Sequence, residues 1–79
     1  MKLATLNASN IEKLKSMSIE TFELDTSIEY RTFVLTTWNG AESYYRKAGN
    51  AIRRMIDGSE PCSMHGITKE GTMVLIAAH

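Results

Sequence analysis

The sequence predicts an α+β fold, a two-layer sandwich with two helices on one face of an antiparallel sheet of three to five strands. Residues 28–58 supply the first observation, because they read as a strand, a joint at residues 38–40 and an amphipathic helix. The second is that residues 19–25 and 72–78 have strand composition. A chain of 79 residues is the size of one small domain, so residues 1–79 are expected to form a single domain.

The first part of the chain predicts a weak strand over residues 2–6 and a short helix after it. Ser9 and Glu12 have the spacing of a capping box. The apolar residues that follow recur on one side of a helix, as expected for a helix that packs on a sheet; they are Ile11, Leu14 and Met17.

Residues 19–25 and 28–38 predict an antiparallel hairpin. In the first segment Phe22 and Leu24 alternate with polar side chains, and residues 25–27 form a turn-like cluster. In the second segment Phe33 and Leu35 share one side, so they are predicted to meet Phe22 and Leu24 in the core.

A long helix is predicted over residues 41–57. Asn39 and Glu42 have capping spacing before it, and Gly58 is the expected stop. Its apolar stripe has helical spacing and comprises Ala41, Tyr44, Tyr45, Ala48, Ile52, Met55 and Ile56.

The C-terminal part predicts a second hairpin. Residues 63–68 are a weak strand candidate, and residues 69–71 suit a short loop with Gly71 in the left-handed region. Residues 72–78 are apolar on both sides, which indicates a central strand or an edge strand covered by another chain.

This order of elements resembles the ferredoxin-like βαββαβ sandwich. The resemblance implies that the last strand lies at a sheet edge. Residues 72–78 are the most apolar predicted strand, and an exposed apolar edge strand is unfavourable. We therefore expect a second copy or another partner to cover that edge.

Composition narrows the classes of function. The chain has nine basic and nine acidic residues and zero formal net charge, which disfavours a strongly basic nucleic-acid binder. Cys62 is the single cysteine, as in proteins of the reducing cytoplasm, so a cytoplasmic location is expected. No apolar run approaches the length of a membrane span.

Cys62 and His65 have C-x-x-H spacing, which raises the question of metal binding or nucleophilic catalysis. A structural zinc site needs about four ligands, and a nucleophile needs a base, an orienting group and an oxyanion site. Neither set is evident, so we expect no catalytic residues, no metal and no cofactor.

The predicted helix 41–57 carries a set of basic and amide side chains, here called the basic helix face: Arg46, Lys47, Asn50, Arg53 and Arg54. Two interpretations remain open. These side chains could contact phosphates or an acidic protein, or they could form a solvated surface with a Glu42–Arg46 pair at i,i+4.

A second predicted binding surface is the side of the sheet away from the helices, with Tyr30, Thr32, Val34, Glu23 and Asp25. Residues 30–34 resemble the aromatic strand of RNA recognition motifs. The glycines of that motif are missing, and the two acidic residues would repel phosphate.

The sequence therefore favours a small non-catalytic interaction protein that docks on a macromolecular partner through charged and semi-apolar surfaces. In size and style it is similar to phage-encoded inhibitors of host nucleic-acid-handling complexes, such as anti-CRISPR proteins. Two alternatives are a nucleic-acid-binding module that uses the basic helix face and a dimeric ligand-binding regulatory domain. A homodimer would form through the sheet or strand 72–78.

Overall fold

In a computed structural model, which describes residues 3–58 and 60–79, two helices accompany a five-stranded antiparallel sheet. The elements in chain order are α1 (Ala8–Ser16), β1 (Glu20–Thr21), β2 (Tyr30–Thr37), β3 (Glu42–Tyr45), α2 (Ala48–Asp57), β4 (Cys62–Thr68) and β5 (Met73–Ala78). Across the sheet the strand order is β1-β5-β4-β2-β3.

The α+β class and the antiparallel sheet are confirmed, whereas the ferredoxin-like order is not. The observed element order is α-β-β-β-α-β-β, and β5 lies between β1 and β4 instead of at the edge. Of the predicted strand at residues 2–6, Ala4 forms an isolated bridge with Tyr30, and Lys2 lies outside the described residues. β5 thus has a neighbouring strand on each side, although Met73 remains exposed.

The predicted helix 41–57 is wrong in its first part. Residues 37–41 form a turn in which the Thr37 N–H donates to the Ala41 carbonyl over 2.9 Å, and Gly40 has a φ of 87°. The chain then returns as β3, with Tyr44 opposite Val34. Asn-Gly between β-forming segments is a strong hairpin signal, and here it prevails over the capping pattern.

Helix α1 begins two residues before the predicted start. Its N-cap is Asn7, whose side chain accepts the Asn10 N–H over 2.8 Å while the Asn10 side chain accepts the Asn7 N–H over 3.2 Å. This reciprocal pair takes the role expected of Ser9 and Glu12.

The predicted hairpin of residues 19–25 with 28–38 is also wrong. Only Glu20 and Thr21 form a strand, and they pair with Ala78 and Ala77 of β5. Phe22 is half exposed, and Leu24 lies outside the core cluster. The alternation of apolar and polar side chains over residues 19–25 therefore does not indicate a full strand. Most of this segment is a connection that makes few hydrogen bonds to the sheet.

One core cluster joins both helices to one side of the sheet, here called the core face. Phe33 and Leu35 belong to it as predicted. Leu14 contributes from α1, and the α2 stripe contributes Ala48, Ala51, Ile52 and Met55. The predicted stop at Gly58 is confirmed as the C-cap of α2.

The C-terminal hairpin is confirmed. β4 and β5 pair in antiparallel fashion, the Thr68 N–H donates to the Thr72 carbonyl over 2.9 Å, and Gly71 has a φ of 91°. Glycine adopts this left-handed conformation without the penalty that a Cβ imposes.

Candidate functional site

A bulge in β2 decides which side chains face away from the helices. The register with β4 shifts between Tyr30 and Thr32, so two residues of β2 span one step of β4. Tyr30 therefore lies on the core face with Phe33, and their ring centroids are 5.1 Å apart. The predicted placement of Tyr30 on the far side of the sheet is wrong.

Tyr30 is fully buried in a close fit against β4. Its ring lies over Gly66, where a Cβ would collide with ring atoms Cδ1 and Cε1. The Tyr30 hydroxyl has no hydrogen-bond partner among the described residues. Burial raises the pKa of this phenol, and the charges of Glu23 and Asp25 raise it further. A buried hydroxyl without a partner lowers the stability of the fold.

We expect Tyr30→Phe to raise the free energy of unfolding by about 1 kcal/mol, since it removes an unsatisfied polar group and keeps the ring. The raised pKa of folded Tyr30 also means that the unfolded chain ionises first. The protonated Tyr30 phenol therefore makes its full contribution to the free energy of unfolding below about pH 10. This contribution is lost as the pH rises further. Urea titrations of both proteins at neutral and alkaline pH should therefore show a larger alkaline loss in the wild type; equal losses would contradict this assignment.

The side of the sheet opposite the core face is here called the open sheet face, and register places its side chains in three rows. The central row is Tyr44, Val34, His65 and Leu75. The acidic-ended row is Glu42, Thr36, Ser63, Ala78 and Glu20, and the third row is Thr32, Ile67 and Met73.

Large apolar side chains stand out from this face. Tyr44 is 60% exposed and Met73 is 55% exposed. Val34, between Tyr44 and His65, is only 1% exposed because its neighbours cover it. Trp38, which is 75% exposed, lines a shallow depression with Thr36 and Ser63 at one end of the face. The central row, with Met73 beside it, is here called the apolar strip; its exposed apolar area comes from Tyr44 and Met73, while Val34 is covered and β4 contributes the imidazole of His65.

The charged side chains at paired positions of the open sheet face are acidic and lie at its two edges, while Arg31 is exposed at the unpaired bulge position of β2. Glu42 and Glu20 end the same row on β3 and β1, and within residues 3–58 and 60–79 no lysine or arginine occupies a paired position of the three rows. The Tyr44 hydroxyl donates to Glu42 Oε1 over 3.3 Å. The Glu42 carboxylate raises the pKa of Tyr44, so this phenol remains protonated at neutral pH.

The structure brings together only part of the predicted sheet surface. Thr32 and Val34 lie on the open sheet face, and the Thr32 hydroxyl donates to the Tyr45 carbonyl over 3.0 Å. Glu23 and Asp25 belong to the β1–β2 connection and act on the Tyr30 phenol of the core face. Ser27 holds Asp25 through side-chain and backbone hydrogen bonds, which lower the pKa of that carboxyl.

Sequence reasoning missed the most exposed members of the open sheet face. The sequence predicts a helix at Tyr44, and it leaves open whether residues 72–78 form a central strand or a covered edge strand. The available signal was Asn39-Gly40, because a hairpin there places Tyr44 beside Val34.

The predicted basic helix face is divided. Lys47 is the N-cap of α2, and Arg46 precedes it, so neither lies within the helix. Lys47, Asn50 and Arg53 line a groove with residues of α1. Arg54 lines a different depression beside Asp57 and Cys62. Because Glu42 is in β3, the predicted Glu42–Arg46 pair at i,i+4 is wrong.

Cys62 and His65 lie on opposite sides of β4, as their odd spacing in a strand requires. Burial raises the pKa of the Cys62 thiol, and the charge of Arg54 opposes this effect. Within residues 3–58 and 60–79, no three His, Cys, Asp or Glu side chains group so that they could hold a metal ion. Neither described helix has the length and apolarity required to cross a bilayer.

In comparisons with known proteins, no protein-family model, curated protein or solved structure matches this chain.

Proposed function

We propose that this protein is a non-catalytic interaction protein that binds another protein through the open sheet face. The observation that carries the proposal is the exposed apolar surface of Tyr44 and Met73, to which half-buried Leu75 adds; Val34 lies covered beneath it. Exposed apolar surface of this kind, bordered by polar residues, is typical of protein interaction sites. Aromatic and methionine side chains are enriched at such interfaces.

The charges on this face indicate the chemistry of the partner. Glu20 and Glu42 lie at opposite edges, where they would meet the rim of an interface. Among the described residues, the paired positions of a second copy of this face offer no lysine or arginine to complement them, and Arg31 at the β2 bulge is the exposed cation beside those positions. The partner we propose has an apolar patch bordered by lysine or arginine, since complementary rim charges give specificity and fast association.

Proteins that handle nucleic acids commonly present basic surfaces of this type. An inhibitor that covers such a surface would pair its acidic edges with the partner's cations and place its apolar strip against the centre. The phage-type inhibitor expected from the sequence belongs to this class, and we retain it as the proposed role.

The test compares two variants that remove exposed apolar surface. Tyr44→Asp with Met73→Asp changes the open sheet face at two exposed positions, so we expect the fold to be retained. Met17→Asp changes a side chain that is 48% exposed at the C-cap of α1. Wild type and Met17→Asp should retain the same partner in affinity capture from a cell lysate, and the double variant should lose it.

Equal capture by all three proteins would contradict the assignment of this face. So would a wild type that captures no partner and forms a dimer in sedimentation velocity, because a second copy would then be the occupant. Circular dichroism of each variant confirms that a loss of capture does not arise from unfolding.

A further inference from the structure

We propose that the groove between α1 and the start of α2, here called the helix groove, binds a phosphate group of a nucleotide or of single-stranded nucleic acid. Its position in the helical layer separates it from the open sheet face, so this inference is independent of the protein-binding proposal.

Cations from both helices line the helix groove. Lys13 comes from α1, Lys47 is the N-cap of α2, and Arg53 lies in the second turn of α2. Of the residues that the structure describes, no aspartate or glutamate lines it, although the chain has nine acidic residues. In a protein with zero formal net charge, this segregation creates a local positive potential that attracts an anion.

The amide side chains of the groove are arranged as hydrogen-bond donors. The Oδ1 atoms of Asn7 and Asn10 each accept a backbone N–H in the capping box. Their Nδ2 groups therefore remain as the donating ends of the two carboxamides. Asn50 adds a third amide to the lining. A ligand that only accepts hydrogen bonds, such as phosphate, suits this set of donors.

The dimensions of the groove fit more than a bare ion. Its volume is about 420 Å³, within the usual range of small-molecule sites, roughly 300–1,000 Å³. Gly49 lines this space beside Asn10, and a Cβ there would be in ordinary contact with Asn10 Nδ2 at 3.8 Å. A nucleotide or one to two units of a nucleic-acid strand would place its phosphate among the three cations.

The experiment measures binding to three probes: inorganic phosphate, adenosine monophosphate and an oligothymidylate of about eight nucleotides. Calorimetry serves the small probes, and fluorescence polarisation serves the labelled oligonucleotide. Preferential binding of the oligonucleotide, with a log–log salt slope of about −2 for three phosphate contacts, would identify a nucleic-acid strand as the source. Equal or tighter binding of the mononucleotide would identify a free nucleotide.

A pair of charge-matched variants assigns the site. Lys13→Ala, Lys47→Ala and Arg53→Ala together remove the groove cations. Lys15→Ala, Arg46→Ala and Arg54→Ala together remove equal charge outside the groove lining. All six side chains are exposed, so both variants should fold. We expect about a 10-fold or greater loss of affinity in the first variant and less than about a 3-fold loss in the second.

Two results would overturn the proposal. One is an absence of binding to all three probes at millimolar concentration and low salt. The other is an equal loss of affinity in both triple variants, which would show that only net charge attracts the ligand.

Discussion

Gly66→Ala is expected to destabilise the fold by about 3 kcal/mol, because the interior beside this position has no room for a methyl group. A Cβ at residue 66 would collide with the Tyr30 ring and lie 3.0 Å from Ile76 Cδ1. Tyr30 and Ile76 are themselves fully buried. The clash can therefore be relieved only if core side chains move. Chemical denaturation of Gly66→Ala should show a lower midpoint than that of the wild type.

Gly49 provides the control, because alanine at that position is not expected to lower the stability of the fold. Gly49→Ala meets nothing closer than Asn10 Nδ2 at 3.8 Å and lies in the first turn of α2. It should leave stability unchanged or raise it by up to about 1 kcal/mol. In a Tyr30→Ala background the cost of Gly66→Ala should fall sharply; an unchanged cost would show that the ring is not the obstacle.

Phe33→Ala is expected to cost about 3–5 kcal/mol in the free energy of unfolding. Phe33 is fully buried in the core cluster and packs its ring against Tyr30 at a tilt of 50°. A domain of this size has only a modest reserve of stability. Much of the variant population should thus be unfolded at 37 °C, as thermal melts followed by circular dichroism will show.

The matching control is Arg31→Ala, at the exposed bulge residue between Tyr30 and Thr32. Its effect should stay within about 0.5 kcal/mol. Comparable losses in the two variants would contradict the placement of Phe33 on the core face.

The sequence predicted correctly those elements at which hydrophobic periodicity and turn residues indicate the same structure. The α2 stripe, the β4–β5 hairpin with Gly71, and the core positions Phe33 and Leu35 follow from periodicity and turn chemistry. Residues 39–45 carried two competing signals, a capping spacing and an Asn-Gly turn. The strand preference of Tyr44 and Tyr45, together with pairing to β2, decides in favour of the hairpin.

The candidate sites could not be predicted fully from the sequence, because they depend on contacts between residues far apart in the chain. The bulge at Arg31 moves Tyr30 to the core face, and alternation alone gives no sign of it. The pairing of β1 with β5 places Glu20 at the edge of the open sheet face. The helix groove likewise depends on α1 meeting α2, so Lys13 could not be grouped with Lys47 and Arg53 from their sequence positions.

The most direct test of the open sheet face is methyl NMR of the protein with its captured partner. Val34, Ile67, Met73 and Leu75 carry methyl groups on this face, and Met17 is an exposed methyl-bearing residue elsewhere. Partner binding is expected to shift or broaden the signals of these four open-face residues and to leave the Met17 signal unchanged. Perturbation of Met17 with unchanged signals from the open sheet face would contradict this expectation.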